Sequence, residues 1–341
     1  MPKKHSESVD ILSIGDIVVD DFIRLKDAEA YCDIDQENCK LCVRFGDKVP
    51  FEFHEVVYAV GNSPNAAVSA ARLGLDSALS AAIGNDENGK KCLDSLKKDK
   101  VTTDFVETDK KLPTNYHYVL WYGPERTILV NHSPYERHMP KNLPEVKWLY
   151  VSSLGSNTED FHKEIARWIT EHPKTKLAFQ PGTFQIKLGA DHLKEIYART
   201  EIFSCNVDEA ERILKLEGQG HDFTTVDGKI KLMKMLSGLG PKIISLTDGI
   251  NGAYAYDGKN AYFMPVYPHE PFERTGAGDA HFSTIVSALA LGMTLETALT
   301  WGPINAMSVV QQIGAQKGLL SHEKLEEFLA KAPADYKLKK L

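Results

Sequence analysis

Apolar positions along the chain follow two periods, and their order sets the architecture to expect. From Asp10 the chain reads DILSIGDIVVD, whose Ile/Leu run to Ile14 is expected to be a buried strand ending at Gly15. Ligand groups often stand just past such a strand end. Val43 to Phe45 and Val49 to His54 are short, β-prone and interrupted by Gly46 and Asp47, as in hairpins on a sheet with one wet face. From Asn62 the period becomes helical: Ala66, Ala67, Ala70, Ala71 and Leu73 share a face, and Gly74 ends the run. Ser77 to Ile83 reads as a strand and Glu87 to Lys98 as an amphipathic helix. Tyr116 to Trp121 and Arg126 to Val130 read as a second hairpin turning at Gly123 and Pro124.

Beyond residue 145 the rhythm is regular. Strands Trp148 to Val151, Leu177 to Phe179, Ile202 to Ser204 and Ile243 to Leu246 alternate with helices Asp160 to Thr170, Leu188 to Ala198, Val207 to Leu216 and Lys229 to Leu239. Ala253 to Tyr256 and Ala261 to Pro265 resemble an edge hairpin, and helices over Gly276 to Leu291, Leu295 to Val310 and Glu323 to Ala330 close the chain. Such alternation implies an α/β fold with a mainly parallel sheet covered by helices on both faces. With no repeat or low-complexity linker, 1–341 is expected to be one domain, and the hairpin segments, about 22–58 and 114–132, form an inserted β lid.

Composition narrows the function classes. Forty basic against 47 acidic residues give a net charge of −7, which argues against a broad grip on nucleic acid or an anionic membrane. No apolar run reaches the ~18 residues of a span, and the polar, charged stretch Met1 to Asp10 does not read as a secretory signal. Five cysteines in 341 residues are too few for a disulfide scaffold, so a cytoplasmic enzyme is expected. Cys39 and Cys42 in CKLC, with Cys32 and His54, would suit the start of a zinc site, but no second CxxC completes it; reduced thiols in the lid are the favoured reading.

The most informative stretch is ERTGAGDAHF, Glu273 to Phe282. Gly276, Ala277 and Gly278 precede a helix starting near Asp279, so amides are exposed where the helix dipole adds partial positive charge. This suits a phosphate or a migrating phosphoryl group. Asp279 would repel an anion unless it has its own task, and taking a proton from an attacking hydroxyl is one. Alone, the segment is equally well read as a turn and a cap.

The whole chain decides between these readings. From about Ile11 to Gly318 it resembles the ribokinase-like, or PfkB, family of carbohydrate and nucleoside kinases. The resemblance implies a three-layer α/β/α sandwich with a small β lid, Asp279 as base and Gly276, Ala277 and Gly278 as the anion hole. Glu273 and Arg274 replace the first two residues of the family's DTTGAGD. Gly61 and Asn65, leading into AAVSAARLG, match the family's contacts to the acceptor hydroxyls, although Val60 stands where a second glycine is common. Asp20 matches the acceptor-binding aspartate, with Asp16 as a helper; a carboxylate accepts from two neighbouring hydroxyls. Asn206 and Glu209 match the family's NxxE element near Mg²⁺, and also read as a helix cap. Thr247, Gly249 and Gly252 resemble the loop beside the nucleotide, and Asn305 takes the place near adenine. Where many members carry an aspartate after the strand at Leu177 to Phe179, this chain has Gln180.

The implied reaction is phosphoryl transfer from ATP to a hydroxyl of a sugar or sugar derivative, with Mg²⁺ and, as a further candidate, a monovalent cation. A nucleoside acceptor such as adenosine is the second choice, and a non-catalytic binding protein of the same fold the third. A nicotinamide dehydrogenase fits less well, because GDIVVD after the first strand lacks the glycine pattern for a pyrophosphate. Trp121, Arg126, His132 and Tyr135 are lid candidates that equally suit packing or a lid-to-lid homodimer. His281, beside Asp279, is expected to be an ordinary helix residue.

Overall fold

In the computed structural model the described residues are 8–32, 39–123, 125–270 and 272–341. The strands are β1 (Ser8–Ile14), β2 (Val18–Leu25), β3 (Glu29–Tyr31), β4 (Lys40–Cys42), β5 (Phe51–Val60), β6 (Ser77–Gly84), β7 (Thr102–Asp109), β8 (Tyr116–Tyr122), β9 (Glu125–Leu129), β10 (Glu145–Val151), β11 (Lys176–Phe179), β12 (Thr200–Asn206), β13 (Ile243–Thr247), β14 (Ala253–Tyr256), β15 (Ala261–Met264) and β16 (Lys339–Lys340). The helices are α1 (Asn62–Arg72), α2 (Glu87–Lys98), α3 (Glu159–Glu171), α4 (Thr183–Leu188), α5 (Lys194–Arg199), α6 (Val207–Leu214), α7 (Val226–Ser237), α8 (Ala277–Ala290), α9 (Leu295–Val309) and α10 (His322–Ala330).

One ten-stranded sheet runs β16-β15-β14-β13-β12-β11-β10-β1-β6-β7. It is parallel from β13 to β7, and β14, β15 and β16 add antiparallel edges. Side chains of its two faces enter separate cores. One holds Phe161, Ile165, Ile213 and Leu232 from α3, α6 and α7, with Leu193 at the start of α5. The other holds Ala66, Ala70, Phe282, Ile285, Trp301 and Leu325 from α1 and α8 to α10. Helices on both faces of a parallel sheet are what buries both sides of apolar strands. Because β1 pairs with β6 on one side and β10 on the other, the chain's direction of winding reverses there, and a crevice opens at the carboxyl ends.

The lid is a four-stranded sheet, β5-β2-β8-β9, and a separate ribbon joins β3 to β4. Asp20 stands opposite His117 in the β2–β8 pairing, so both project on the side of the cleft, while Asp21, one residue on, meets His54 and Tyr116 on the other side. No helix among the described residues is long and apolar enough to cross a membrane.

Three sequence expectations are corrected and one strand is added. Val43 to Phe45 is not a strand: β4 ends at Cys42, and Phe45 sits fully exposed in a turn with no partner strand. The helix expected over Leu188 to Ala198 is two short ones, α4 and α5, interrupted after Leu188 at Gly189. The edge strand β7 went unseen because its polar sequence, TTDFVETD, offers little apolar alternation. Finally, Cys32 and Cys39 are joined in a disulfide instead of standing as reduced thiols. The β3–β4 register explains it, since Tyr31 pairs with Lys40 and the two cysteines flank that pair. Cys42 is free, and no group of three or more metal-ligating side chains occurs among the described residues.

Candidate active site

Five parallel strands end at the crevice and deliver their next residues into it: Asp16 after β1, Ser152 after β10, Gln180 after β11, Asn206 at the end of β12 and Thr247 at the end of β13. Across from them stands the amino end of α8. Gly276 holds φ +82°, and a Cβ there would come within 2.3 Å of the Ala315 Cβ, so the turn into α8 requires glycine. The turn leaves its amides open. Among the described residues those of Gly278 and Asp279 meet no protein acceptor, and that of Ala277 reaches only the Arg274 carbonyl at 3.5 Å.

Asp279 is gripped by three amide donors. Asn62 Nδ2 donates to Oδ1 at 2.9 Å, Gln180 Nε2 to Oδ1 at 3.1 Å and Asn65 Nδ2 to Oδ2 at 2.8 Å. Burial pushes its carboxyl up to about 6; the three donors work against this and the charge of Glu209 works with it. The donors are themselves fixed: Gln316 Nε2 donates to Asn65 Oδ1 at 3.0 Å, and Tyr150 donates to Gln180 Oε1 at 2.6 Å. Asn62 and Gln180 were missed as partners of Asp279. The Asn62 position sits inside the glycine–asparagine motif and was legible; a neutral glutamine carries no chemical signal of its own.

Gly61, with φ +119°, passes so close to β1 that a Cβ would meet the Asp16 carbonyl at 2.6 Å. The Asp16 carboxylate accepts from the Gly155 amide at 2.8 Å and pairs with His132 at 3.2 Å and with Arg137. Both of its oxygens are thus engaged by the protein. Asp20 is the opposite case. His117 Nδ1 lies 3.3 Å from its Oδ1, an ion pair when the imidazole is protonated, and that buried oxygen has no hydrogen-bond partner among the described residues. His117 stacks on His132 with centroids 5.0 Å apart, and Phe184 stands edge-on to His132.

On the other side of the α8 amino end lies a cavity of about 610 Å³. Thr247, Gly249 and Gly252 line it, as do Ala277 and Gly278. Asn305 does not: it is fully buried, donating to Thr284 Oγ1 at 2.7 Å and accepting from the Leu320 amide at 2.9 Å, so it ties α9 to α8 instead of facing a nucleotide. Pro303, Ala306 and Met307 of α9 form the wall there. His281, expected to be an ordinary helix residue, also lies on that wall. Asn206 and Glu209 cap α6 reciprocally, with Glu209 Oε2 accepting from the Asn206 amide at 2.9 Å and Asn206 Oδ1 from the Glu209 amide at 2.8 Å. Burial pushes the Glu209 carboxyl up.

The lid meets the loop before α8 at three places. Trp121 packs edge-on against Phe272, Arg126 Nε stands 3.7 Å from Glu273 Oε1, and Arg274 stands 3.6 Å from Glu125.

The chain is similar to known proteins over most of its length. The ribokinase of Bacillus subtilis is 25% identical over 278 residues, covering 79% of this chain and 87% of that one. Arabidopsis thaliana ribokinase, solved with ribose and ATP, superimposes with a TM-score of 0.77 at 16% identity, over 94% of this chain and 99% of that one. The Methanocaldococcus jannaschii nucleoside kinase does so with a TM-score of 0.74 at 18% identity, over 96% and 99%. These likenesses show the ribokinase-like three-layer fold with its small sheet lid. Residues 25–322 match the model of the pfkB family carbohydrate kinases, and the chain belongs to that family.

Proposed function

We propose that this kinase transfers the γ-phosphoryl group of ATP to a hydroxyl of a sugar or sugar derivative, with Asp279 taking the hydroxyl's proton. One observation carries the reading. A carboxylate held near pH 6 stands beside unpartnered main-chain amides, at the seam between a polar cluster and a large, mostly apolar cavity. The cluster suits the acceptor: the unpartnered oxygen of Asp20 can take a hydroxyl's hydrogen bond, Asn65 and the Gly61 turn border the same space, and Asp16 shapes its wall through Arg137 and His132. The cavity suits the nucleotide, with Thr247, Gly249 and Gly252 alongside it. The amides of Gly276 to Asp279 are placed for charge that migrates with the phosphoryl group, the kind of preorganised donor that speeds such transfers.

Mg²⁺ fits the carboxylate of Glu209 and the side chain of Asn206 through water, and it would neutralise phosphate charge there. For a monovalent cation the fitting group is Glu273, whose buried Oε2 has no partner among the described residues. The location we read as cytoplasmic. A homodimer through the lid is supported by Tyr118 and Leu129, which face each other across β8 and β9 and are 47% and 50% exposed.

A second reading, a nucleoside acceptor, is favoured by the stacked His117 and His132 with Phe184, since flat rings suit a base as well as a sugar face. ADP formation dependent on each of a panel of sugars and nucleosides separates the readings. Turnover with sugars supports the first, and turnover confined to nucleosides supports the second. Nucleotide binding with no acceptor phosphorylated would leave a non-catalytic binding protein.

A further inference from the structure

Acidic groups crowd the amino end of α8. Asp279 lies in its first turn, Glu273 just before it accepts from the Thr275 amide at 2.8 Å, and the charge of Glu209 reaches Asp279 from α6. A triphosphate brought to the open amides adds more negative charge, so the arrangement calls for a cation that the protein has not already tied down. Arg126 stands 3.7 Å from the buried Glu273, and Arg137 is held by Asp16. Arg274 is different. Among the described residues it is the one permanently charged side chain lining the 610 Å³ cavity, and it is 55% exposed. Its ion-pair partner is Glu125, 3.6 Å away and 68% exposed.

Glu125 begins β9 and pairs with Tyr122 of β8, which places it at the tip of the lid. Arg274 therefore bridges the cavity mouth and the lid tip. Its carbonyl lies 3.5 Å from the Ala277 amide, so the same residue belongs to the turn that presents the Gly278 and Asp279 amides. A phosphate lying on those amides beside Asp279 is the terminal one, and Arg274 lines the cavity next to Ala277 and Gly278. Two exposed charges in water attract weakly. A phosphate offers several oxygens and more than one negative charge to the guanidinium fork, and such charge-assisted hydrogen bonds are about twice as strong as neutral ones. The phosphate should win this competition.

We propose that Arg274 changes partner during the reaction cycle, from Glu125 in the free enzyme to the terminal phosphate of the bound nucleotide. Nucleotide binding then frees the lid tip from this pair, and departure of the terminal phosphate restores it. The inference deepens the kinase reading and rests on its assignment of the cavity to the nucleotide. It gives a task to the arginine that stands where the family's DTTGAGD has a threonine.

The test measures binding of ATP and ADP, each with Mg²⁺ and without acceptor, to the full chain by calorimetry, with thermal unfolding to verify each variant's fold. R274A should weaken ATP about 10-fold, the size of a lost hydrogen bond to a charged group, and ADP by no more than about 2-fold. E125Q removes the competitor and should tighten ATP about 2- to 3-fold, the range an exposed ion pair allows. In the double variant R274A/E125Q that gain should vanish, a coupling that independent structural roles would not produce. Unchanged ATP affinity in R274A, or an equal loss for ADP, overturns the proposal. So does an E125Q effect that is absent from the wild-type background or persists without Arg274. Wild type that binds neither nucleotide would instead remove the kinase reading beneath it.

Discussion

Asn65 Nδ2 donates to Asp279 Oδ2 at 2.8 Å, joining α1 to α8 across 214 residues of chain. On the proposed reading, the bond ties the motif that would border the acceptor to the residue that would take its proton. Burial alone would drive the Asp279 carboxyl higher than about 6, and the amides of Asn65, Gln180 and Asn62 pull it back. A base at that level is ionised at neutral pH yet still has appreciable proton affinity, which is the compromise general-base catalysis favours.

The pH profile of turnover should carry this signature. Only the carboxylate form accepts a proton, so kcat is expected to fall as pH drops below about 6. Because the folded value lies above the ~3.9 of an unfolded aspartate, the folded state holds the extra proton between those values. Stability contributed by Asp279 is therefore full below the lower value and is lost as pH rises through the upper one. In Q180D a negative charge replaces a donor beside Asp279, and N62A deletes another donor; both should move the acid limb to higher pH. Limbs that coincide with wild type in both variants would mean that another group controls the rate.

Replacing Asp279 by Asn tests the base directly. Turnover should drop ~10² to 10⁴-fold, the usual contribution of a general base, with unfolding temperature and nucleotide affinity nearly intact. Turnover near wild type would remove Asp279 from that role.

Glu209 needs a variant that separates its cap from the metal role proposed for it. Its Oε2 accepts the Asn206 amide while its charge faces the cleft. Deleting a cap commonly costs about 0.5–2 kcal/mol, so an alanine would confound stability with metal binding. E209Q retains an oxygen for the Asn206 amide and removes the charge. The Mg²⁺ concentration for half-maximal rate should rise roughly 10-fold, within the range seen when groups around a metal are altered, with little change in unfolding temperature. An unchanged Mg²⁺ requirement would reduce Glu209 to a cap.

Much of this was legible where local pattern and tertiary need agree. The Ala-rich face of α1 and the Gly-Ala-Gly entry to α8 name their elements because small residues at fixed spacing serve close packing and turn geometry together. Gln180 was noticed only as a departure from the family, since its value lies in a partner 99 residues away. Asn305 misled for a related reason: nothing local says whether a buried amide turns toward a cavity or toward Thr284. Val43 to Phe45 looked like a strand by propensity, but a strand needs a partner and none pairs with it.

The lid contact makes the last prediction, and burial decides which ion pair matters. Arg274 and Glu125 are 55% and 68% exposed, so their attraction is screened and worth little. Arg126 is 28% exposed, and its partner Glu273, at 3%, is sealed beneath the lid, where Oε1 also accepts from the Thr275 amide at 2.8 Å. Arg126 thus links lid position to the loop that enters the amide turn, and Trp121 against Phe272 supplies the apolar part of the same contact. R126A should raise the acceptor KM roughly fivefold, the ratio that about 1 kcal/mol produces, while leaving nucleotide affinity unchanged. R274A should leave the acceptor KM unchanged. Steady-state kinetics with the acceptor varied at saturating ATP reads both variants. Equal effects from the two substitutions would show that the lid answers to surface charge alone and that the buried Glu273 plays no part in closing it.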